Sequence, residues 1–397
     1  MDPGTVAQIL DQIDGEFARN DVPAGFPVLP RIPAARYYDE DFFNLEIEAL
    51  RRCWVSVGTV HDVPDAGSYK VVDRFGGASV IVVRGNDDQI RAFYNSCQHR
   101  GAPVVRDGSG KVAKLRCQMH SWTYGLDGTI FNVPGRRDFG ESLDLRDCRL
   151  RPVRCELWRG FIFINFDPDA VALVEWLGPI GRDMTWADGL RTVTTSTVEL
   201  ACNWKVALES NIEVYHITTL HPTTVATSLD YRGTTHELYA TGHSRMVVPR
   251  LHYDSHVARA DVAVDAQRGL LAHANVSYLL FPFHLTPSGP VGITLQTFWP
   301  LTAERTLLEW STMLPDWGND EPPELGADRN AYFDKVMEED CATMEPVQRA
   351  LRSAGFPGML TSYHERRIYH HEASIDRLIG PDRVPEHLRI PQVLETR

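Results

Sequence analysis

The chain has 397 residues, of which 43% are hydrophobic and 23% charged, and its formal net charge is −13. This is the composition of a globular protein long enough for two domains. The acidic balance argues against nucleic acid as a partner, because binding to phosphates requires a basic face. Seven cysteines in this length exclude a dense disulfide framework.

The N-terminal stretch MDPGTVAQILDQIDGEFARNDVP is acidic and has no basic start followed by an apolar core. It therefore lacks the pattern of a secretory signal. The sequence also has no apolar run of the roughly 18 residues that a membrane span requires. We therefore expect a cytoplasmic enzyme without a membrane segment. Residues 22–36 are rich in proline, which predicts an extended segment before the first helix.

The pattern of apolar residues changes along the chain. Residues 54–166 alternate short strand-like runs with Gly, Asp and Asn, which predicts a small all-β module. The remainder predicts an α+β arrangement of long antiparallel strands and helices. Pro346 predicts a break or kink in one of these helices. The predicted helices are 39–54, 170–190, 203–216, 326–353 and 364–379, and the predicted strands of the second part lie within 193–200 and 275–315.

Two mixed pairs of metal-binding residues lie in the β module. One residue separates Cys97 from His99, and two residues separate Cys117 from His120. A Cys2His2 zinc site holds one tetrahedral ion, whereas a Rieske cluster takes two thiolates on one iron and two imidazoles on the other. Zinc sites usually begin with a Cys–Cys pair. Because each pair here offers one thiolate and one imidazole, the spacing favours the two-iron cluster.

The two motifs CQHRGAP and CQMHSWTYGLDG carry a family resemblance. They resemble the Rieske domain of the catalytic α subunits of aromatic-ring-hydroxylating dioxygenases and related Rieske non-heme iron oxygenases. The resemblance implies a [2Fe-2S] Rieske cluster held by Cys97, His99, Cys117 and His120. Many members have glycine where Ser121 stands, a departure that does not touch the ligands.

A second set of ligand-type residues follows in NWKVALESNIEVYHITTLHP. On one helix, Glu209, Glu213 and His216 would share a face. Because the residue before a proline avoids the α region, the helix should end near His221, which precedes Pro222. The imidazole of His221 would then reach the metal bound by His216. Two imidazoles and one carboxylate form the facial triad of non-heme Fe(II) enzymes. A zinc hydrolase is disfavoured, since zinc proteases use a shorter His spacing with Glu beside the first His.

The carboxylate ligand is not adjacent to the two histidines. The resemblance implies that it lies on a helix far downstream, and the matching segment is EEDCATMEPVQRALRS. Asp340 aligns best with the family's ligand to the mononuclear Fe(II), while Glu338 and Glu339 remain rivals.

Glu213 resembles the acid that links the two metal sites of neighbouring subunits in this family. The resemblance implies a bridge from His120 of one chain to His216 of the next. A carboxylate that accepts both imidazole N–H groups fixes their tautomers and provides a short path for electrons. Head-to-tail contacts of this kind must close into a ring. We therefore expect a homotrimer, with an α3β3 assembly as the alternative.

The resemblance also implies a domain organisation. Residues 1–50 would form an N-terminal segment packed on the catalytic domain. Residues 51–168 would form the Rieske [2Fe-2S] domain. Residues 169–397 would form the mononuclear iron catalytic domain, in which helices flank a long antiparallel sheet in a helix-grip (START-like) fold.

The resemblance implies a terminal oxygenase that takes electrons from NAD(P)H through a separate reductase or ferredoxin. With O2 it would hydroxylate, dihydroxylate or oxidatively dealkylate a small aromatic compound. The alternative is N-demethylation of a quaternary ammonium compound such as betaine or carnitine, because relatives with that activity carry Glu where Glu213 stands. A different class, a Rieske electron carrier or zinc-binding module, is disfavoured because a carrier needs no second iron site.

The substrate pocket is predicted from residues 203–221, the loop 225–256 and the later strands. The aromatic residues on these strands suit an aromatic ring but would equally suit a core. We find no clear basic cluster near these segments in the sequence, which weakens an acidic substrate. The residues predicted on these strands are Phe281, Phe283, His284, Thr294, Gln296 and Phe298.

Overall fold

A computed structural model describes residues 1–75, 77–106, 108–142, 144, 147–318 and 320–397. Within these residues the chain forms two units, which are described separately. One unit is Arg51–Leu173. The other combines Met1–Leu50 with Val174–Arg397. No helix of the described chain is long and apolar enough to cross a bilayer.

The unit Arg51–Leu173 is built from short antiparallel strands. Its main sheet has the order β1-β10-β9-β4-β3-β2-β5, and a small sheet has the order β6-β7-β8. β3 reads ASVIVVR, and such β-branched runs favour strands. The strands are β1 Val55–Thr59, β2 Ser68–Phe75, β3 Ala78–Arg84, β4 Ile90–Tyr94, β5 Ser109–Lys111, β6 Leu115–Arg116, β7 Thr123–Tyr124, β8 Ile130–Asn132, β9 Pro152–Trp158 and β10 Phe161–Asn165.

The other unit is an antiparallel sheet with helices. Its strands pair in the order β11-β17-β16-β15-β14-β13-β12. These strands are β11 Leu190–Leu200, β12 Thr235–Leu238, β13 Ser244–Pro249, β14 Ala274–Leu280, β15 His284–Ser288, β16 Ile293–Thr302 and β17 Arg305–Pro315. The helices of the chain are α1 Pro3–Ala18, α2 Glu40–Leu50, α3 Leu173–Leu177, α4 Pro179–Asp183, α5 Trp204–Glu209, α6 Ile217–Leu220, α7 Ser255–Val264, α8 Ala266–His273, α9 Glu324–Leu351 and α10 Arg366–Ile379. Together the two units confirm the mixed α+β class.

Some elements differ from the predictions. α9 continues through Pro346 as one helix, so the predicted break does not occur. α9 packs on β11 and β17, and tertiary packing of this kind outweighs the local cost of a proline. α1 was not predicted, although Asp2 accepts a hydrogen bond from the N–H of Thr5 and Pro3 occupies the first turn, which are ordinary signals of a helix start.

A network of buried charges joins the first fifty residues to the C-terminal part of the same unit. The guanidinium of Arg36 donates to Glu372 at 2.6 Å and to Asp376 at 2.7 Å. The ammonium of Lys205 donates to Glu46 at 2.5 Å. All of these side chains are almost fully buried. Removing one partner would therefore leave an uncompensated buried charge, which typically costs about 3–5 kcal/mol.

Glu209 belongs to this buried network. The Tyr37 hydroxyl donates to both of its carboxylate oxygens, at 3.0 and 2.9 Å. Burial, followed by the nearby charge of Glu372, raises the pKa of Glu209 well above its usual value. Glu209 therefore serves the packing of the N-terminal segment, whereas the sequence had grouped it with the metal-binding residues.

Candidate metal centres and substrate cavity

Two similar loops carry the Cys/His pairs. In the first, which follows β4, the N–H of Gly101 donates to the carbonyl of Cys97. In the second, which follows β6, the N–H of Ser121 donates to the carbonyl of Cys117. In both loops the N–H of the cysteine donates at 2.9 Å to a carbonyl five residues on, that of Ala102 in the first loop and that of Trp122 in the second. The equivalent turns present one thiol and one imidazole each.

The four side chains fit a two-iron cluster. Both thiols are buried, and the rings of His99 and His120 lie 4.5 Å apart between centroids. Nδ1 of His99 is buried and has no hydrogen-bond partner among the described residues. Burial raises the pKa of the Cys97 thiol, so a bound cation is needed to keep a thiolate there. An unpartnered imidazole nitrogen beside two buried thiols is the donor set that such a cluster requires.

Ser121 has a strained backbone. Its φ is +60°, in the left-handed region, where the equivalent position of the first loop has glycine with a φ of +76°. We expect Ser121→Gly to stabilise this unit by about 0.5 kcal/mol. The left-handed conformation costs a residue with a Cβ about 1–2 kcal/mol, and the greater entropy of glycine in the unfolded chain offsets part of the gain from removing that strain. The temperature at which the visible absorbance of the iron–sulfur centre disappears would rise. Ser121→Val should lower it, and an equal temperature for all three proteins would contradict the strain.

Tyr124 is fully buried and reaches the Cys97 sulfur. Its hydroxyl lies 3.2 Å from that sulfur and accepts a hydrogen bond from the N–H of Gln98. Donation to the sulfur stabilises the more negative, reduced cluster. We therefore expect Tyr124→Phe to lower the reduction potential by roughly 50 mV, the equivalent of about 1 kcal/mol for one electron. Protein-film voltammetry measures this potential, and an unchanged value would show that the hydroxyl does not tune the cluster.

The second ligand set lies on short, irregular elements of the other unit. α5 ends at Glu209, so Glu213 and His216 lie in the turns between α5 and α6. The prediction of one helix carrying all three residues is therefore wrong. The predicted helix end is confirmed, because α6 stops at Leu220 and His221 leaves the helical region just before Pro222.

His216, His221 and Asp340 lie together. One ligand atom from each lies within 4.8 Å of the others. Nε2 of His221 is 3.0 Å from Oδ1 of Asp340, and Nε2 of His216 is 3.7 Å from the same oxygen. Asp340 projects from α9, which brings a residue more than a hundred positions downstream to the two histidines.

The outer nitrogens of both imidazoles contact acids. Nδ1 of His221 is 2.7 Å from Glu339, and Nδ1 of His216 is hydrogen-bonded to Glu213. A neutral imidazole has only one N–H, so His221 cannot donate to Glu339 and to Asp340 together. Although burial opposes it, the contacts with Asp340 and Glu339 raise the pKa of His221. A cation between the two Nε2 atoms and Asp340 would satisfy every group, and the donor set fits Fe(II).

The three neighbouring acids of α9 have different surroundings. Asp340 is buried and faces both histidines. Glu339 accepts from the Thr224 hydroxyl at 2.6 Å and contacts the far side of the His221 ring. Glu338 is exposed. Of the three rivals, Asp340 has the position of a ligand and Glu339 that of a residue that orients His221.

A small cavity is lined by the metal-binding residues and lies entirely within the unit formed by Met1–Leu50 and Val174–Arg397, hereafter the catalytic unit. Its volume is about 210 Å³, below the roughly 300–1,000 Å³ of pockets for drug-sized ligands. Apolar side chains such as Val248, Leu285 and Val336 form much of its wall. Gln296 and Asn211 also line it, and the amide of Gln296 donates to Asn211 at 2.8 Å.

Most aromatic residues predicted in the pocket are in the core. Phe281, Phe283 and Phe298 are buried and do not line the cavity, and Phe283 packs on Trp204. His284 is also buried, and burial lowers its pKa to about 3. Gln296 lines the cavity as predicted. The aromatic lining residues are instead Tyr332 and Phe333 of α9.

Two arginines of the cavity wall were missed. Arg250 follows β13, and Arg329 lies on α9. The sequence does hold a signal for Arg329, since it precedes Asp340 by eleven residues, or three helical turns, and so shares its face. The expectation that the pocket has no basic cluster is wrong.

Comparisons with known proteins agree with both halves of this structure. Residues 53–147 match the family described as Rieske [2Fe-2S] domain. Residues 187–380 match the family described as Ring hydroxylating alpha subunit (catalytic domain). These matches account for the cofactors expected of the chain, a [2Fe-2S] cluster and a mononuclear iron.

Individual relatives cover much of the chain. The alpha subunit of 2-aminobenzenesulfonate 2,3-dioxygenase from an Alcaligenes species is 28% identical over 284 residues, which are 69% of this chain and 72% of the relative. The carnitine monooxygenase oxygenase subunit of Acinetobacter baumannii is 27% identical over 337 residues, 82% and 86% of the two chains.

Solved structures share the fold. The quaternary ammonium Rieske monooxygenase CntA superposes with a TM-score of 0.77 at 24% identity, over 91% of this chain and 99% of that one. This likeness shows the fold, and the two family matches identify the chain as a member of the Rieske oxygenases, in the form of a catalytic alpha subunit.

Proposed function

We propose that this chain is a terminal oxygenase in which His216, His221 and Asp340 hold the mononuclear iron, and Cys97, His99, Cys117 and His120 hold the cluster. The observation that carries the proposal is the orientation of His216 and His221. Acids contact both Nδ1 atoms, so both Nε2 atoms face Asp340 in the wall of a small cavity.

When bound, the iron supplies the site of O2 activation, and the cluster supplies electrons to it. Glu213 and Glu339 hold the outer protons of the two imidazoles and so keep Nε2 free for the metal. The apolar wall excludes bulk water and positions a carbon of the substrate near the ligands. The bond between Gln296 and Asn211 fixes two polar groups of the wall.

The first candidate reaction is hydroxylation, dihydroxylation or oxidative dealkylation of a small aromatic compound. The similarity to a 2-aminobenzenesulfonate dioxygenase supports it. The second candidate is N-demethylation of a quaternary ammonium compound, which the similarity to a carnitine monooxygenase and the presence of Glu213 support. Against the second candidate, Tyr332 and Phe333 are the aromatic residues lining the described cavity, and they offer little of an aromatic cage for a cation.

Members of the Rieske oxygenase family work with electron-transfer partners, and this chain requires one as well. We propose that this partner is an NAD(P)H-dependent reductase or a ferredoxin, and that the oxygenase is a homotrimer. His120 is exposed and Glu213 contacts His216, which suits a bridge between chains. An α3β3 assembly is the alternative.

Single-turnover product analysis tests the function. The protein is loaded with iron, reduced without air, and given O2 with aromatic acids, neutral aromatics, methoxy- or N-methyl aromatics and betaines. Mass spectrometry should show a product with one or two added oxygen atoms, or loss of a methylene together with formaldehyde. If the cluster is reoxidised but no compound is altered, the chain is an electron carrier and the proposal is wrong.

A further inference from the structure

The wall of the cavity formed by α9 has a metal-binding end and a basic end. Asp340 and Arg329 lie on this helix eleven residues apart, which corresponds to about 16 Å along its axis. Phe333, Val336 and Met337 lie between them, and all line the cavity. A substrate lying along α9 would therefore have one end at the ligands and the other near Arg329.

A second arginine converges on the basic end. A Cβ placed on Gly289 would lie 3.6 Å from Nη2 of Arg250 and 3.8 Å from Nη1 of Arg329. Both guanidinium groups thus lie within ordinary contact of one point on the cavity wall. Burial, followed by the charge of Arg250, lowers the pKa of Arg329.

The described part of the chain places no carboxylate beside these two charges. Among the residues that the structure describes, neither arginine has an acidic side chain within ion-pair distance. Arg329 contacts neutral oxygens, the carbonyl of Gly292 at 3.3 Å and the hydroxyl of Thr294 at 3.5 Å. Its Nε is buried and has no hydrogen-bond partner in the described part of the chain. Two converging cations with an unused buried donor are unfavourable unless an anion joins them.

We infer that Arg250 and Arg329 bind the acidic group of the substrate, which is a small organic anion carrying a carboxylate or sulfonate at the end opposite the carbon to be oxidised. Guanidinium forks bind such oxyanions through paired, charge-assisted hydrogen bonds. The inference rests on the proposed function, because the same cavity contains the site of oxidation. It selects among the candidate substrates, since neutral aromatics and simple ammonium cations lack this group.

Calorimetric titration of the iron-loaded protein, without reductant or O2, tests the inference apart from turnover. The probes are matched pairs that differ in charge: benzoate and benzamide, benzenesulfonate and benzenesulfonamide, carnitine and choline. We expect the anionic group of at least one pair to improve the dissociation constant by roughly 10- to 100-fold. The pair that shows the effect distinguishes carboxylate from sulfonate.

Variants assign the effect to the two arginines. Arg329→Met should abolish the preference for the anion, and Arg329→Lys should restore part of it. Gly289→Asp keeps both arginines but adds a competing carboxylate, on a Cβ that would meet them at ordinary contact distance. It should bind the anion at least roughly 10-fold more weakly than the isosteric Gly289→Asn. Arg268→Met is the control, since it removes an arginine that is 90% exposed.

Three results would overturn the inference: equal binding within every pair, no binding by any anionic probe, or equal binding by Gly289→Asp and Gly289→Asn. A preference for anions without any oxygenated product would leave the inference standing and refute the proposed function. Oxygenation of neutral compounds alone, without a preference for anions, would support the proposed function and overturn the inference.

Discussion

Replacing Asp340 with alanine is expected to remove the mononuclear iron and to reduce product formation at least roughly 1,000-fold, while the Rieske centre stays intact. Asp340 Oδ1 faces Nε2 of both His216 and His221, so its loss leaves two ligands where three are needed. Metal analysis gives the iron content per chain, and electron paramagnetic resonance of the reduced protein reports the cluster separately.

Its two neighbours on α9 provide a graded comparison. Glu339→Ala keeps the three ligands but frees Nδ1 of His221, and loss of such a contact typically weakens metal binding about 10- to 100-fold. Glu338→Ala removes an exposed acid and should change nothing. If Glu339→Ala lost the iron completely while Asp340→Ala retained it, the ligand would be Glu339.

Glu213→Gln is expected to slow oxidation of the cluster by the mononuclear iron at least roughly 100-fold, with both metals retained. The carboxylate of Glu213 is hydrogen-bonded to Nδ1 of His216 and accepts the backbone N–H of Tyr215. Each carboxylate oxygen has two lone pairs, so Glu213 can accept one more imidazole N–H from a neighbouring chain. An amide of the same size has one oxygen with two lone pairs, too few for the Tyr215 N–H and two imidazole N–H groups, and its NH2 group can only donate.

Stopped-flow absorbance of the reduced protein mixed with O2 and substrate measures this step. Calorimetric titration of the same variant should show unchanged substrate binding, which separates electron transfer from binding. Glu213→Asp retains the charge and should recover part of the rate. If Glu213→Gln instead lost iron, the residue would serve to orient His216, and the path between chains would lie elsewhere.

The parts of the site fixed by covalent spacing could be read from the sequence. The two Cys/His pairs each need only a tight loop, and the position of His221 follows from the proline after it. The turns between Glu209 and His216 could not be predicted from the sequence. The four-residue spacing of Glu209 and Glu213 would fit a continuous helix equally well. In the structure α5 ends at Glu209, whose buried carboxylate accepts from Tyr37, a residue far away in sequence.

The cavity wall was harder to predict for a related reason. Alternation along β16 places Thr294, Gln296 and Phe298 on one face, but periodicity does not tell which part of that face lines a cavity. Phe298 is buried in the core, whereas Gln296 lines the cavity and Thr294 contacts Arg329. Arg250 follows β13 and Arg329 lies on α9, which are far apart in sequence. That their guanidinium groups lie close together is visible only in the folded chain.

The catalytic unit is discontinuous in sequence, and this has a consequence for synthesis on the ribosome. Arg36 is made 336 residues before its partner Glu372 and 340 residues before Asp376, both on α10. The residues Arg51–Leu173 are complete long before, and domains generally fold as they emerge. Because the ribosome adds roughly 5–20 residues per second, α10 is made on the order of tens of seconds after the N-terminal segment. During that interval we expect the apolar side chains of the segment to be exposed and available for binding by chaperones. The unit Arg51–Leu173 can already bind its iron and sulfide.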